Sequence, residues 1–199
     1  MNRYPELRAS LATGDVLLFS GRGIIPWVIQ RATRSPYSHV GMVVKVEGWD
    51  LCMCWESTTL NDVADADSGA PVSGVQFDSL SERVAKFKGG IVVRKLLKPM
   101  RAHGVRDLMA MRKTLIGRPY ERRLWTLAMA ALWPKRLKAE DLSSLFCSEL
   151  VAEAYQRLGI ILKGLPPADA YVPADFADVP KPRYRHMAGI FGPEITLKS

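Results

Sequence analysis

The stretch that decides the fold is Phe146-Cys147-Ser148-Glu149-Leu150-Val151-Ala152-Glu153-Ala154-Tyr155. Apolar residues recur at helical spacing after Cys147, so the pattern predicts an amphipathic helix over 144–158 with the cysteine on its inward face. Gly159 is well placed to end this helix. The first turn carries unpaired backbone N–H groups and the positive end of the helix dipole, which favour a thiolate there. The stretch therefore predicts a nucleophilic cysteine, and the alternative is that Cys147 is a small buried hydrophobe.

A valine-rich strand, predicted over 38–46, precedes this helix in the chain. A turn then leads to a second apolar run, 51–56, so the pair is interpreted as an antiparallel hairpin of two central strands. With a turn of two or four residues, Gly41 lies opposite Glu56. His39 and Glu56 then share one face as diagonal neighbours, about 7–8 Å apart, within reach of a glutamate side chain.

The predicted positions suit a catalytic triad made of Cys147, His39 and Glu56. Glu56 would orient the imidazole, and His39 would then need a nucleophile on its other side, for which Cys147 is the one good candidate. The alternatives are a hydrogen-bonded structural histidine and a solvated glutamate. His103 and His186 lie in polar, loop-like contexts and are interpreted as surface residues.

Three cysteines argue against a disulfide framework, since Cys52 and Cys54 lie on one predicted strand and the total is odd. We expect free thiols in a reducing compartment. A metal site built from Cys52, Cys54 and His39 lacks the spacing of a known zinc site. Neither a metal nor another cofactor is predicted.

The composition favours one domain over residues 1–199, because 48% of the residues are hydrophobic and 24% are charged. The N-terminus lacks the pattern of a secretory signal, and no apolar stretch approaches the roughly 20 residues of a transmembrane helix. We therefore expect a soluble protein that is cytoplasmic as synthesised. A phage origin and a non-classical export route are left open.

The net charge of +8 favours an anionic neighbour, such as a cell-wall polymer, an acidic membrane surface or nucleic acid. No nucleic-acid motif accompanies the charge, so nucleic acid is not specifically indicated. A basic, tryptophan-bearing helical segment at about 99–141 either lies on an anionic membrane or partner surface or packs with a solvated basic rim. The packed helix is the preferred interpretation.

The remaining pattern alternates short strands and helices and predicts an α+β protein with antiparallel strands. Further strands are predicted at 16–19, 75–77 and 91–94, and helices at 24–33, 80–87, from 105 to 116 and over 124–132. A loop is expected over 61–74. An extended tail is expected after Pro166.

Four motifs resemble the circularly permuted NlpC-type papain-like cysteine peptidases and amidases, which neighbour lecithin retinol acyltransferase-like enzymes. The motifs are Thr13-Gly14-Asp15-Val16-Leu17-Leu18-Phe19, Ser35-Pro36-Tyr37-Ser38-His39-Val40-Gly41, Phe146-Cys147-Ser148-Glu149-Leu150-Val151 and Tyr171-Val172-Pro173-Ala174-Asp175-Phe176. The resemblance implies a permuted papain-like fold, in which the histidine strand precedes the cysteine helix. A small antiparallel sheet would pack against that nucleophile-bearing helix.

The same resemblance implies that Cys147 is the nucleophile, His39 the general base and Glu56 the orienting acid. Tyr37, two residues before the histidine, is a candidate for substrate binding or for the oxyanion site. The implied activity is that of a thiol protease or amidase that cleaves peptidoglycan-type bonds of the cell wall through an acyl-enzyme. Two alternatives stay open: a lipid or thioester acyl hydrolase or acyltransferase, and a catalytically silent binding module of a phage or secretion assembly.

Overall fold

The structure is a computed structural model that describes residues 1–46, 48–60, 62–116, 143–164 and 166–199. Its strands are β1 (Val16–Gly21), β2 (His39–Val46), β3 (Leu51–Thr58), β4 (Gly74–Ser79), β5 (Gly89–Leu96) and β6 (Phe191–Lys198). Its α-helices are α1 (Tyr4–Leu7), α2 (Ile24–Thr33), α3 (Leu80–Lys86), α4 (Ala102–Leu115) and α5 (Ser143–Arg157). The predicted α+β class is confirmed.

The six strands form one antiparallel sheet in the order β4-β3-β2-β1-β5-β6. The predicted hairpin is β2–β3, and both of its strands are interior to the sheet, as expected. Val46 pairs with Leu51 and Met42 with Trp55, which is the register that the four-residue turn predicts.

The two faces of the sheet bury different helices. Val40, Met42 and Val44 belong to the core that α5 covers. Val43 belongs to a second core on the opposite face, which α3 covers through Leu80 and other residues. Successive side chains of β2 point to opposite faces of the sheet, and a helix covers each face. Both sets of side chains are therefore apolar, and the sequence of β2 shows no alternation of apolar and polar residues.

The turn before β1 is held by the carboxylate of Asp15. Its oxygens accept hydrogen bonds from the Ala12 N–H at 2.9 Å and from the Leu96 N–H at 3.1 Å. Gly14 adopts φ 94°, and a Cβ there would lie 2.6 Å from a Leu96 side-chain carbon. Only glycine suits both the conformation and the close approach.

Two elements were not predicted, α1 and β6. Strand β6 contains Pro193, which lacks a backbone donor, but β6 is an edge strand paired only with β5, where proline is tolerated. The expected extended tail holds short 3₁₀ turns at Ala168–Ala170, Pro173–Phe176 and Arg185–Met187. The helix expected over 124–132, with most of the basic segment, lies outside the described residues.

Within the described residues, Cys52, Cys54 and Cys147 form no disulfide, and all three are buried. Within the described ranges, no helix is long and apolar enough to cross a membrane.

Candidate active site

Helix α5 carries Cys147 as its fifth residue, and the thiol is fully buried. The helix begins one residue earlier than the sequence predicted, so Cys147 follows the first turn rather than lying within it. Because helical side chains point back toward the N-terminus, the Cys147 side chain still leans over that turn. The prediction that Cys147 lies within the first turn is therefore corrected, but Cys147 is still close to the start of the helix.

Two buried hydrogen bonds fix α5 against the body. The Ser148 hydroxyl donates to the Tyr171 carbonyl at 2.6 Å, and the Tyr155 hydroxyl donates to the Gly14 carbonyl at 2.7 Å. The first bond ties the residue next to the nucleophile to the C-terminal segment. The second ties the helix to the turn before β1, so α5 connects the motif that contains Gly14 with the motif that contains Tyr171.

His39 is the first residue of β2, and its imidazole contacts both other predicted site residues. Its Nε2 lies 2.5 Å from Oε2 of Glu56, and its ring shares a hydrogen bond with the side chain of Cys147. Since Glu56 engages Nε2, Nδ1 is the nitrogen left for the thiol. The structure thus brings together Cys147, His39 and Glu56.

His39 contacts Cys147 at the end of the sheet where β2 begins, rather than across the face of the sheet that α5 covers. His39 lies against Phe19, with ring centroids 5.1 Å apart, and Phe19 belongs to the core on the α3 side. Cys147 belongs to the core on the α5 side. The imidazole therefore bridges the two layers at the point where β2 begins, a placement that strand alternation alone does not predict.

The charge on His39 is governed by its two acidic neighbours. Burial by itself lowers the pKa of an imidazole. Here the charges of Cys147 and then Glu56, with the hydrogen bonds to both, outweigh burial and raise the pKa of His39 to about 10. An imidazolium next to the sulfur is the partner that a thiolate nucleophile needs.

Glu56 is held ionised by a second cation, Arg83. Burial would raise the pKa of Glu56, but Arg83 and then His39 lower it to about 2. Arg83 Nε lies 2.6 Å from Glu56 Oε1, on the side of the carboxylate that faces away from His39. Glu56 is thus fixed through both of its oxygens.

Arg83 lies on α3 and is itself completely buried. Its terminal nitrogens contact Asp78 Oδ2 at 2.5 Å, Asp62 Oδ1 at 2.6 Å and Gln76 Oε1 at 3.2 Å. Burial and the nearby Glu56 raise the pKa of Asp78 to about 7. One guanidinium therefore connects the site to β4 and to the loop that follows β3.

Sequence reasoning missed Arg83 and Asp78, although both carry a signal. Arg83 stands at helical spacing with Leu80 and Val84, which places it on the inward face of α3. Asp78 alternates with Gln76 on β4, opposite Cys54 and Glu56 of β3. A charged residue on a buried stripe would have been the indication.

Tyr37 is buried, and its hydroxyl donates to Glu194 Oε2 at 2.5 Å. Burial and the Glu194 carboxylate raise the pKa of this phenol. The residue precedes β2 and links the chain before His39 to β6. Its predicted role in substrate binding stays a prediction.

His186 is not the unpartnered surface residue that the sequence suggested. Its Nε2 lies 2.6 Å from the Tyr171 hydroxyl, and its ring stacks on Tyr184 with centroids 5.8 Å apart. Tyr171 is the residue whose carbonyl accepts from Ser148. His186 therefore supports the C-terminal segment that holds α5.

No family model matches the chain, and no curated protein matches it either. Among solved structures, the fold is similar to the crystal structure of the metalloprotein YiiX from Escherichia coli O157:H7, a DUF1105 protein. The two share 25% sequence identity with a TM-score of 0.50, over 74% of this chain and 66% of YiiX. The similarity supports an α+β architecture shared with a protein of somewhat greater length.

Within the described part of the chain, no group of three or more His, Cys, Asp or Glu side chains is arranged to hold a metal ion. The acids around the site are instead paired with cations, since Arg83 engages Glu56, Asp78 and Asp62. A carboxylate already bound to a guanidinium is a poor ligand for a second cation. These residues therefore do not fit a metal centre.

Proposed function

We propose that this chain is a cysteine-dependent hydrolase of the circularly permuted NlpC-type papain-like group, which cleaves an amide or ester bond through an acyl-enzyme. The observation that carries the proposal is the continuous contact from the Cys147 thiol through His39 to Glu56. The motifs quoted above, including the permuted order of histidine and cysteine, support the same group. Peptidoglycan-type peptide or amide bonds are the first substrate class, by that resemblance.

Each residue has a defined part in the proposed reaction. The Cys147 sulfur attacks the carbonyl carbon and forms a thioester, while the bond to the leaving group breaks and the leaving group takes a proton from His39. A water molecule then attacks the thioester and gives a proton to His39, so that the acid leaves and the Cys147 thiolate beside the imidazolium is restored. Glu56 keeps the imidazole oriented throughout, and backbone N–H groups at the start of α5 stabilise the oxyanion.

YiiX is described as a metalloprotein, but the described acids and thiols of this chain do not fit a metal centre, so no step of the proposed reaction involves a metal. The reaction proposed here needs only the thiol, the imidazole and water. Activity of the purified protein that requires a metal would point to a different mechanism.

Thiol reactivity tests the proposal with controls inside the same chain. Cys52, Cys54 and Cys147 are all buried, so differences in alkylation by iodoacetamide at neutral pH report activation rather than exposure. We expect Cys147 to react at least about tenfold faster than the other two, and His39→Ala to remove that advantage. Equal labelling of all three thiols would favour the silent binding module.

Turnover separates the substrate classes. The wild-type protein should hydrolyse peptidoglycan-type peptides, and Cys147→Ser should leave no activity on any substrate. Cleavage of fatty acyl esters with wall peptides untouched would replace the peptidase assignment with the second candidate, a lipid acyl hydrolase. One feature favours keeping that candidate: exposed Ile24 and Trp27 on α2, the helix that precedes the His39 strand.

A further inference from the structure

Helix α2 has an apolar surface that the rest of the described chain leaves exposed. Ile29 is its only buried residue, whereas Ile24 is 78% and Trp27 60% exposed. At 100° per residue, Ile24, Trp27 and Arg31 lie together on the side opposite Ile29. Exposed isoleucine and tryptophan beside each other on a helix indicate a contact surface rather than a solvated face.

The charged residues on α2 and in the chain segments that flank it have a single sign. Arg22, Arg31 and Arg34 are all exposed, and residues 16–46 contain no aspartate or glutamate. An arginine flanking tryptophan suits the interface of an anionic bilayer, where the ring enters the headgroup region and the guanidinium stays with the phosphates. An anionic bilayer would then contact both the apolar and the cationic side chains of the α2 surface.

Helix α2 is also tied firmly to the chain that carries His39. The Gln30 side-chain amide donates to the Gly21 carbonyl at 3.2 Å and to the Pro36 carbonyl at 2.8 Å. The Gly21 N–H in turn donates to the Ser38 hydroxyl at 3.2 Å. A surface that binds α2 is therefore held next to the segment that leads into His39.

We propose that the α2 surface, formed by Ile24, Trp27 and Arg31, docks the protein onto an anionic lipid bilayer. The helix lies in the interface rather than across the membrane, in keeping with its ten residues. This docking depends on exposure and charge and stands without the proposed hydrolase activity. Together with that activity, it directs the site toward substrates presented at a lipid surface.

Vesicle co-sedimentation of the full chain tests the docking. Wild-type protein should partition onto vesicles of equal phosphatidylglycerol and phosphatidylcholine and much less onto pure phosphatidylcholine. Ile24→Ser with Trp27→Ser should lower the partition coefficient by at least about tenfold, and Arg31→Gln by about fivefold. Added salt should weaken binding of the wild type.

Matched controls are available elsewhere on the surface. Trp49→Ser removes a tryptophan that is 72% exposed, and Arg106→Gln removes an exposed arginine of α4. Both should bind within about twofold of the wild type if α2 is the docking element. The unfolding transition of each variant shows that the exposed substitution has left the fold intact.

The docking would be overturned by no binding of the wild type to the anionic vesicles, by equal binding of the α2 double variant, or by equal binding of the wild type to neutral vesicles. Loss of self-association by the double variant with vesicle binding unchanged would assign the surface to a second copy and also overturn it. Binding is measured without turnover, so its failure is distinct from failure of the hydrolase proposal. An active enzyme that ignores vesicles contradicts only the docking.

Discussion

The imidazole of His39 has both ring nitrogens engaged inside the protein, by Glu56 and by Cys147. A neutral imidazole can donate from only one nitrogen, so contact with two acidic groups favours the doubly protonated form. The raised pKa of His39 and the lowered pKa of Glu56 express the same arrangement. These shifts lead to two predictions.

Glu56→Gln should slow both turnover and alkylation of Cys147, by about 100-fold for turnover. The amide keeps the shape of the side chain but removes the charge that helps raise the pKa of His39. The pH profile of Cys147 alkylation should therefore change at its alkaline end, where His39 loses its proton at lower pH than in the wild type. A slower but unshifted profile would mean that Glu56 acts only as packing.

The charged pair should also give a defined dependence of stability on pH. The pKa of His39 is raised from its ordinary value of 6.5 to about 10 by Cys147 and Glu56, so the contribution of His39 to stability is complete below pH 6.5 and is lost as the pH rises toward 10. The pKa of Glu56 is lowered from its ordinary value of 4.5 to about 2 by Arg83 and His39, so its contribution to stability is complete above pH 4.5 and is lost as the pH falls toward 2.

The free energy of unfolding of the wild type relative to His39→Gln should therefore be largest between pH 4.5 and 6.5 and should shrink toward pH 10. The difference should amount to a few kcal/mol at most. Urea unfolding of both proteins across the pH range measures it. A difference that stays constant with pH would show that His39 is not charged in the folded protein.

Among the elements, the β2–β3 hairpin sets the distance between base and acid. Gly41 lies opposite Glu56 and two residues along β2 from His39, and a Cβ there would lie 3.0 Å from the Cys54 sulfur and 3.3 Å from Glu56 Cβ. Alternation places His39, Gly41 and Glu56 on the same face. The small residue leaves the room that the Glu56 side chain uses.

Gly41→Ala should push Glu56 away from His39 and lower the rate of Cys147 alkylation, with about 1–3 kcal/mol of destabilisation from overpacking. Gly90→Ala on β5 is the matched control, because a Cβ there meets nothing closer than 3.6 Å. The control should retain wild-type reactivity and stability. If both substitutions had equal effects, the loss of Cys147 reactivity would not be caused by the displacement of Glu56.

Helix α3 contributes the cation that holds Glu56 in place. Arg83→Met should leave Glu56 and Asp78 buried without their counter-ion and cost about 3–5 kcal/mol of stability. The pH profile of Cys147 alkylation should shift as well, because Glu56 would ionise less readily. Lys86→Met, on the exposed side of the same helix, should change neither; a stability loss without a shifted profile would limit Arg83 to a structural role.

At the scale of the whole molecule, Arg94 of β5 joins the C-terminal segment to the sheet. Its guanidinium donates to the carbonyls of Phe176, Ala177, Phe191 and Gly192, at 2.7–3.3 Å. The same C-terminal segment accepts the hydrogen bond from Ser148 beside the nucleophile. The tail is therefore part of the support of α5, although it is remote from His39 in sequence.

Arg94→Met should leave these buried carbonyl groups without a hydrogen-bond donor. The free energy of unfolding, measured in urea, should fall by about 2–5 kcal/mol. Lys98→Met, an exposed residue just beyond β5, is the control and should lie within about 0.5 kcal/mol of the wild type. If the Arg94 variant matched the control, water would be replacing the guanidinium at these carbonyls. The C-terminal segment would then be held by its other contacts, such as the Ser148–Tyr171 hydrogen bond and β6 pairing.

Most elements of the whole fold could be predicted from local pattern, because apolar spacing and turn residues act over a few neighbouring positions. The bounds of α2 agree with the prediction, and the register of β2 with β3 follows from a four-residue turn. Strand β6 was missed because Pro193 is unfavourable in a strand unless it lies at an edge. Edge position is a property of the assembled sheet.

The sequence by itself determined the identity of Cys147, His39 and Glu56 as candidates, since each stands at a position where periodicity constrains its direction. Only the tertiary structure decided that His39 bridges two core layers at the end of β2, and that Arg83 and Asp78 stand behind Glu56. The physical reason is that periodicity fixes which face a side chain occupies within its own element. Which helix covers that face, and which charges meet there, depends on contacts between residues far apart in the chain.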